Sequence, residues 1–288
     1  MLAMIGGSGV YNIEGLANTR WLKVDSPFGA PSDELLLGEL DGEPLLFLPR
    51  HGRGHQLPPS AINYRANIDA LKRAGATQII SVSAVGSLKA ELPPGMFVIV
   101  DQFIDRSFAR AKSFFGAGLV AHVSMAHPVC ARLGDALQAA ARAEDIRHLR
   151  GGTYLVMEGP QFSTLAESEL YRSWRCDVIG MTNMPEAKLA REAELCYATV
   201  AMVTDYDCWH PDHDAVTVDM ILRTAHANAG HARALLRRAV AGTRQPPATP
   251  CPHGCQTALE YALVTTPEAR DPAMVRALDA VAGRVLRR

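Results

Sequence analysis

The chain has 288 residues, 48% hydrophobic and 20% charged, which gives the length and apolar content of a full globular core. Its 29 basic and 30 acidic residues leave a net charge of −1 and no basic face, which argues against a nucleic-acid partner. The opening MLAMIGGSG lacks a positive n-region and no segment reaches the length of a membrane span, so a cytoplasmic protein with no membrane partner is expected.

Leu2–Ile5 reads as a short buried strand followed by Gly6–Gly9, GGSG. Glycines let successive N–H groups turn toward an anion, and Ser8 adds a hydroxyl donor. No Gly-Lys-Ser/Thr follows, so this is not a P-loop, and Asn12 stands where a dinucleotide fingerprint needs its third Gly. A tight turn without a ligand is the plain alternative. Leu35–Leu40 and Pro44–Leu48 flank Asp41-Gly42, a hairpin signal. The second strand runs into Arg50-His51-Gly52, where an Arg can clamp an oxyanion unless the turn is merely solvated.

A helix is expected over Pro59–Ala74. Gln78–Ser83 is an apolar strand that delivers Ser83-Ala84-Val85-Gly86-Ser87 as a turn at its carboxyl end. GGSG, RHG and SAVGS thus stand at three strand ends and read together as one anion cradle. Met96–Val100 is a strand, and residues 107–127, with His122 and His127, form a long loop. Pro128–Asp145 is an Ala-rich amphipathic helix and Gly152–Met157 a strand. Thr164 with Glu167 makes a capping box that opens a helix. Asp177–Met181 is a short strand leading into Thr182-Asn183-Met184-Pro185, where another helix begins. Val216–Ala241 is a long helix with Val218, Ile221, Leu222 and Ala225 as its apolar stripe. Helices near Gln256–Leu263 and Asp271–Arg287 end the chain. Strands alternate with helices and no repeat or linker intervenes. One α/β domain over residues 1–288 is expected, with 244–288 as a helical tail.

The rest is organised around Cys196–Trp209, CYATVAMVTDYDCW. Its first half is apolar without alternation, as in a strand buried on both faces. It ends in Thr204-Asp205-Tyr206-Asp207, and ligands of open α/β sheets bind beyond the carboxyl ends of strands. If the chain stays extended, both acids point the same way. A dry strand end pushes a carboxyl toward its neutral form, so one acid can donate a proton while the other accepts a hydrogen bond. Two loop Asp residues in water are the alternative.

Six cysteines stand at 130, 176, 196, 208, 251 and 255, and four of them read as buried thiols. Cys251 and Cys255 in TPCPHGC could pair, or bind a metal with His253, but one short cluster supplies too few ligands. The HxxH spacing of His210 and His213 contains a Pro that argues against a helical metal site.

The segments IGGSG, SPFGAPSD, LPRHGRGH, NYRANIDALKRAGA, SAVGSL, VIVDQFIDRS, MEGPQFST, VIGMTNMPEAKLARE and MVTDYDCW resemble the purine nucleoside phosphorylase family, and the last resembles its methylthioadenosine phosphorylase branch. The resemblance runs from about Met4 to about Leu222. It implies a nucleoside phosphorylase fold, a mixed twisted sheet surrounded by helices, in a homotrimer or dimer of trimers. It implies no metal and no organic cofactor, with inorganic phosphate as co-substrate. Carried over by position, Ser8, Arg50, His51, Ser83, Ala84 and Thr182 would form the phosphate site. Ser8 and Ser83 stand where relatives often have Thr and keep the hydroxyl. Phe162 and Met181 would wall the base and ribose, with Ser163, Asp205 and Asp207 on the base edge. Val218, Ile221 and Leu222 would hold the 5′ substituent, and His122 would reach a neighbouring subunit's site.

The implied reaction is phosphorolysis of S-methyl-5′-thioadenosine to adenine and 5-methylthioribose 1-phosphate, with Asp205 as general acid toward N7. An adenosine or broad purine nucleoside phosphorylase is the nearest rival. A phosphate-independent nucleosidase is a further one, but it has no need of the cradle. Some relatives from hot environments join cysteines of the tail, and such a clip between Cys251 and Cys255 stays open here.

Overall fold

The computed structural model describes residues 1–7, 15–212, 217–243 and 251–287. Its strands are β1 (Leu2–Gly6), β2 (Leu16–Leu22), β3 (Leu35–Leu40), β4 (Glu43–Pro49), β5 (Gln78–Ser87), β6 (Phe97–Ile99), β7 (Gln102–Asp105), β8 (His148–Arg150), β9 (Thr153–Val156), β10 (Val178–Gly180) and β11 (Cys196–Asp205). Its helices are α1 (Tyr64–Arg73), α2 (Ala131–Ala143), α3 (Leu165–Ser173), α4 (Asn183–Glu192), α5 (Val218–Gly242), α6 (Pro272–Ala277) and α7 (Gly283–Leu286).

All eleven strands join one mixed sheet with β5 at its centre. One edge of β5 takes β11 in parallel along almost its whole length. The other edge takes β1 in parallel over Gln78–Val82 and β10 antiparallel at Gly86–Ser87. The period of two then sorts the core. Ala3 and Ile5 of β1 face α1 and α4, whereas Leu2 and Met4 face α2 and α5. Because helices cover both faces, β11 is buried at every position, which is why its sequence shows no alternation. The hairpin turns at Asp41 (φ 51°) and Gly42 (φ 81°), the two left-handed positions that a tight turn needs.

Several expectations are corrected. The helix over 59–74 is a 3-10 turn at Pro59–Ala61 followed by α1, because the Asn63 side chain accepts from the Ala66 N–H and restarts the helix. β5 continues through Ser87 instead of turning at 83–87, since β11 pairs with it as far as Gly86. β2 and β8, absent from the sequence reading, are a largely exposed edge strand and a three-residue strand. The buried stripe of α5 is Ala225, Ala229, Ala232, Leu235, Leu236, Ala239 and Val240, not the stripe starting at Val218. The described part of the tail holds 3-10 turns at Cys255–Thr257 and Pro267–Ala269 with the short α6 and α7, not two long helices. Pro267 and Pro272 each begin a new turn. The tail's Leu259, Leu278, Val281 and Val285 are packed into the core beside α4 instead. Among the described residues no helix is long and apolar enough to cross a membrane.

Candidate active site

Strands β4, β1, β5 and β11 run parallel, so their carboxyl ends lie on one side of the sheet. Gly6 is level with Pro49 and with Val82, so Gly7, Arg50 and Ser83 follow together. β10 places Ile179 level with Gly86, and continuing that register brings Met181-Thr182 beside Ala84-Ser83. Between the ends of β1 and β10, one edge of β5 pairs with no strand over Ser83–Val85 among the described residues. Ala84 is the single exposed residue of β5 there. From Ser83 to Gly86, which is level with Asp205, the strand advances about 10 Å at ~3.3 Å per residue. That span separates the Arg50 side, the candidate anion end, from the Asp205 side, the candidate base end. Ser8 lies outside the described residues.

Arg50 is 1% exposed, and its guanidinium is already engaged. Nε donates to Glu186 Oε2 (2.9 Å), Nη1 to the Val82 carbonyl (3.0 Å) and Nη2 to Ser81 Oγ (2.5 Å). Burial opposes its charge, but the adjacent Glu186 carboxylate outweighs that and holds it protonated. Arg50 is therefore half of a buried ion pair, with little more than its second Nη1 proton left for an anion. Tyr197 Oη also donates to Glu186 (2.8 Å), and Asn183 Nδ2 donates to Thr199 Oγ1 (2.8 Å) and Ser81 Oγ (3.2 Å). Ser83 Oγ donates to Asn183 Oδ1 (3.0 Å). Thr182 is buried at the N-cap of α4, yet its hydroxyl does not cap the helix. His51 Nδ1 lies 2.8 Å from the Leu57 carbonyl, which can only accept, so Nδ1 carries the proton. Burial, then the Arg50 charge, push this imidazole down to about 4, and its Nε2 is bare at neutral pH.

Asp205 and Asp207 do not stay extended. The strand ends at Asp205, Asp207 takes a left-handed φ of 53°, and its N–H donates to Asp205 Oδ1 (2.8 Å). The turn still buries both carboxyls, at 5% and 6% exposure. Burial raises the Asp205 pKa against the hydrogen bonds from Thr204 and the Asp207 N–H. Thr204 Oγ1 contacts both Asp205 Oδ2 (2.7 Å) and the Val85 carbonyl (3.2 Å). Thr204 thus has one hydroxyl proton for two acceptors. Burial likewise raises Asp207, opposed by Ser168 and assisted by the Asp205 charge. Asp207 Oδ2 is buried with no hydrogen-bond partner among the described residues. Gly86 permits this arrangement, because a Cβ there would sit 2.8 Å from Asp205 Oδ1.

Phe162 is 39% exposed and Ser163 half-buried, on the segment that crosses the Asp207 turn. Cys208 Sγ donates to the Ser163 carbonyl (3.4 Å) and Trp209 Nε1 to the Ser87 carbonyl (2.7 Å), which ties that segment and β5 to the acids. Met181 is half-buried, with its sulfur against Gly159. Val218 and Leu222 are exposed, at 62% and 45%, and Ile221 is half-buried. The α5 residues beside Asp205 are Met220, Arg223 and Thr224, which line a cavity of about 240 Å³ with Thr204, Asp205 and Tyr206. His122 is exposed in the long loop, lining a different cavity with Lys112, Lys188 and Glu192.

Two features escaped the sequence. Glu186, 136 residues from Arg50, is its counter-ion; a charge directly after a buried strand was the signal that one was needed. Arg110, 8% exposed, donates to the carbonyls of Met181 (2.6 Å), Met184 (2.7 Å) and Glu158 (2.6 Å), pinning the backbone on both sides of Thr182. Only the length of its loop hinted at a role.

Several parallel strand ends and a buried carboxyl pair thus meet along one rim of the sheet. A family model described as the Phosphorylase superfamily matches residues 2–241, and the chain belongs to that superfamily. It is 64% identical to the S-methyl-5′-thioadenosine phosphorylase of Rhodospirillum rubrum over 286 residues, 99% of this chain and 97% of that one. It is 61% identical to the protein of that name from Bradyrhizobium diazoefficiens, over 100% of this chain and 98% of that one. A methylthioadenosine phosphorylase from an antarctic soil metagenomic library superposes with a TM-score of 0.90 at 49% identity, over 97% of this chain and 98% of that one. The methylthioadenosine phosphorylase of Schistosoma mansoni in complex with adenine gives 0.79 at 39%, over 83% and 90%.

Proposed function

We propose that this chain is a pentosyltransferase that cleaves S-methyl-5′-thioadenosine with inorganic phosphate, giving adenine and 5-methylthioribose 1-phosphate. The observation that carries the reading is the buried acid pair: Asp205, whose carboxyl burial pushes toward the protonated form, beside Asp207 Oδ2, which has no hydrogen-bond partner among the described residues. Adenine offers N7 as an acceptor and its 6-amino group as a donor, and this pair supplies the complement. A 6-oxopurine would set its oxygen against the Asp207 carboxylate.

Phosphate occupies the anion end, held by Ser8, Ser83, Thr182, the Ala84 backbone, the remaining Arg50 proton and the His51 main chain. The His51 ring has no proton on Nε2 to offer. The ribosyl group lies along the open stretch of β5, between Met181 and Phe162. As the bond to C1′ breaks, positive charge grows on the ribosyl group and negative charge on the base. Phosphate stabilises the first, and the Asp205 proton, delivered to N7, relieves the second. Ser163 completes the base edge. Val218 and Leu222, exposed in the single chain, and the half-buried Ile221 would be covered by an apolar 5′ substituent. Such a wall favours a methylthio group over a hydroxyl only softly, so adenosine is a slower substrate. The exposure of His122 suits a loop lent to a neighbouring copy in a trimer or dimer of trimers. No organic cofactor enters this scheme.

Product analysis with methylthioadenosine, methylthioinosine, adenosine and inosine, each with and without phosphate, tests it. Adenine and a sugar 1-phosphate should form from methylthioadenosine only when phosphate is present. Adenine release in phosphate-free buffer would make the chain a nucleosidase and overturn the proposal.

A further inference from the structure

We infer that Cys130, Cys196, Cys251 and Cys255 together bind one zinc ion, which clips the C-terminal segment to the core. This departs from the expectation of no metal, which rested on the family resemblance and on Cys251 and Cys255 with His253 supplying too few ligands. The fold brings Cys130, the N-cap of α2, and Cys196, the first residue of β11, to the same point. The four Sγ atoms all lie within 4.8 Å of one another, with Cys130–Cys251 at 3.6 Å and Cys251–Cys255 at 3.0 Å. A tetrahedral Zn(Cys)4 centre with bonds of about 2.3 Å has sulfur–sulfur edges of about 3.8 Å. The C-x3-C spacing of Cys251 and Cys255 is also that of structural zinc sites. His253, the ligand considered from sequence, instead stacks on His127, with ring centroids 4.0 Å apart.

Soft thiolates in a tetrahedral set select zinc over harder cations, and a multi-iron cluster spreads its cysteines wider than one ion does. Two disulfides would account for the same residues in pairs, but they do not require all four sulfurs to converge. Binding converts four thiols to thiolates with release of four protons, leaving a centre of charge −2. Its surroundings suit that charge. Arg132 Nη2 lies 3.7 Å from Cys196 Sγ, and Cys130 sits at the positive end of the thirteen-residue α2. Gly254, left-handed at φ 58°, makes the turn that returns Cys255 to Cys251, and Arg191 holds the His253 carbonyl (3.2 Å).

The consequence reaches the His122 loop. Beyond Cys255 the tail holds that loop by backbone bonds, from His122 N–H to the Ala262 carbonyl (2.9 Å) and from Val264 N–H to the Val120 carbonyl (2.9 Å).

The test is metal analysis of the full-length protein, expressed with zinc and purified without chelator, with thiols counted in denaturant without reductant. About one zinc per chain and six thiols titrating once zinc is chelated are expected. Cobalt exchanged into the protein should give the intense visible bands of a tetrahedral thiolate centre. Cys251→Ser and Cys255→Ser should lose the zinc and lower Tm, and Cys176→Ala should retain the metal. If a variant fails to fold, metal content and the cobalt spectrum of the parent still decide. Zinc-free protein after reconstitution under reducing conditions, or fewer than six thiols in metal-free protein, would overturn the inference, the latter in favour of disulfides.

Discussion

Replacing Gly86 by Ala probes the geometry of the acid pair without touching an acid. The backbone there is ordinary, so Ala brings no strain of its own. Its Cβ, however, would lie 2.8 Å from Asp205 Oδ1, 3.2 Å from Ile179 Cγ2 and 3.3 Å from the Asp207 nitrogen. Ordinary contact begins near 3.4 Å, so the Asp205 carboxyl must retreat by about 0.6 Å. Overpacking of this kind costs about 1–3 kcal/mol of stability. A misplacement of about 1 Å at a reacting group can cost ~100-fold in rate. We therefore expect kcat/KM for methylthioadenosine to fall about 10- to 100-fold, with Tm lower by several degrees. Gly230→Ala is the control: nothing lies within 4 Å of its Cβ, and it is in helix α5. It should gain up to about 1 kcal/mol with kcat/KM unchanged. Steady-state kinetics and thermal melts of both variants decide. A folded Gly86→Ala protein with parental kcat/KM would refute the placement of chemistry at Asp205.

Further outcomes concern the buried charges. Arg50→Ala should raise KM for phosphate more than KM for the nucleoside. It should also cost about 3–5 kcal/mol, because Glu186 is left buried and unpaired. Adding Glu186→Gln to it should restore part of that stability in denaturant melts, and no recovery would mean the pair is not coupled. Glu192, which accepts from Ser113 Oγ and the Phe114 N–H, is pushed by burial up to about 7. Its folded pKa is raised, so its contribution is present below about pH 4.5 and lost as pH rises through 7. Glu192→Gln should therefore gain stability relative to the parent between pH 4.5 and 8, by up to about 3 kcal/mol. A pH-independent difference would contradict the burial of a charge there.

What the sequence made legible follows from where the determining contacts lie. The strand Cys196–Asp205 and the acids at its end were readable because burial on both faces leaves a local mark, a run without alternation. The capping box at Thr164 was equally local. Arg50 was placed correctly at a strand end but read as a free clamp, because Glu186 and Ser81 reach it only through the folded sheet. Arg110 lies in a segment of no period, and its role exists only because the Met181, Met184 and Glu158 carbonyls converge on it. The same limit hid the cysteine cluster, whose members lie at the ends of distant elements. The tail was misread because its apolar residues dock on the core rather than line one face of a helix.

The central claim is that Asp205 gives a proton to the leaving adenine. Asp205→Asn removes that proton while its NH2 can still donate to N7 or face a 6-oxo group. The measurement is the ratio of kcat/KM for methylthioadenosine to that for methylthioinosine, in which general damage to the fold cancels. We expect the 6-amino activity to fall by about 10²- to 10⁴-fold. The 6-oxo activity should fall less or rise, so the ratio collapses. An unchanged ratio, with both activities lowered alike, would show that Asp205 only holds the turn.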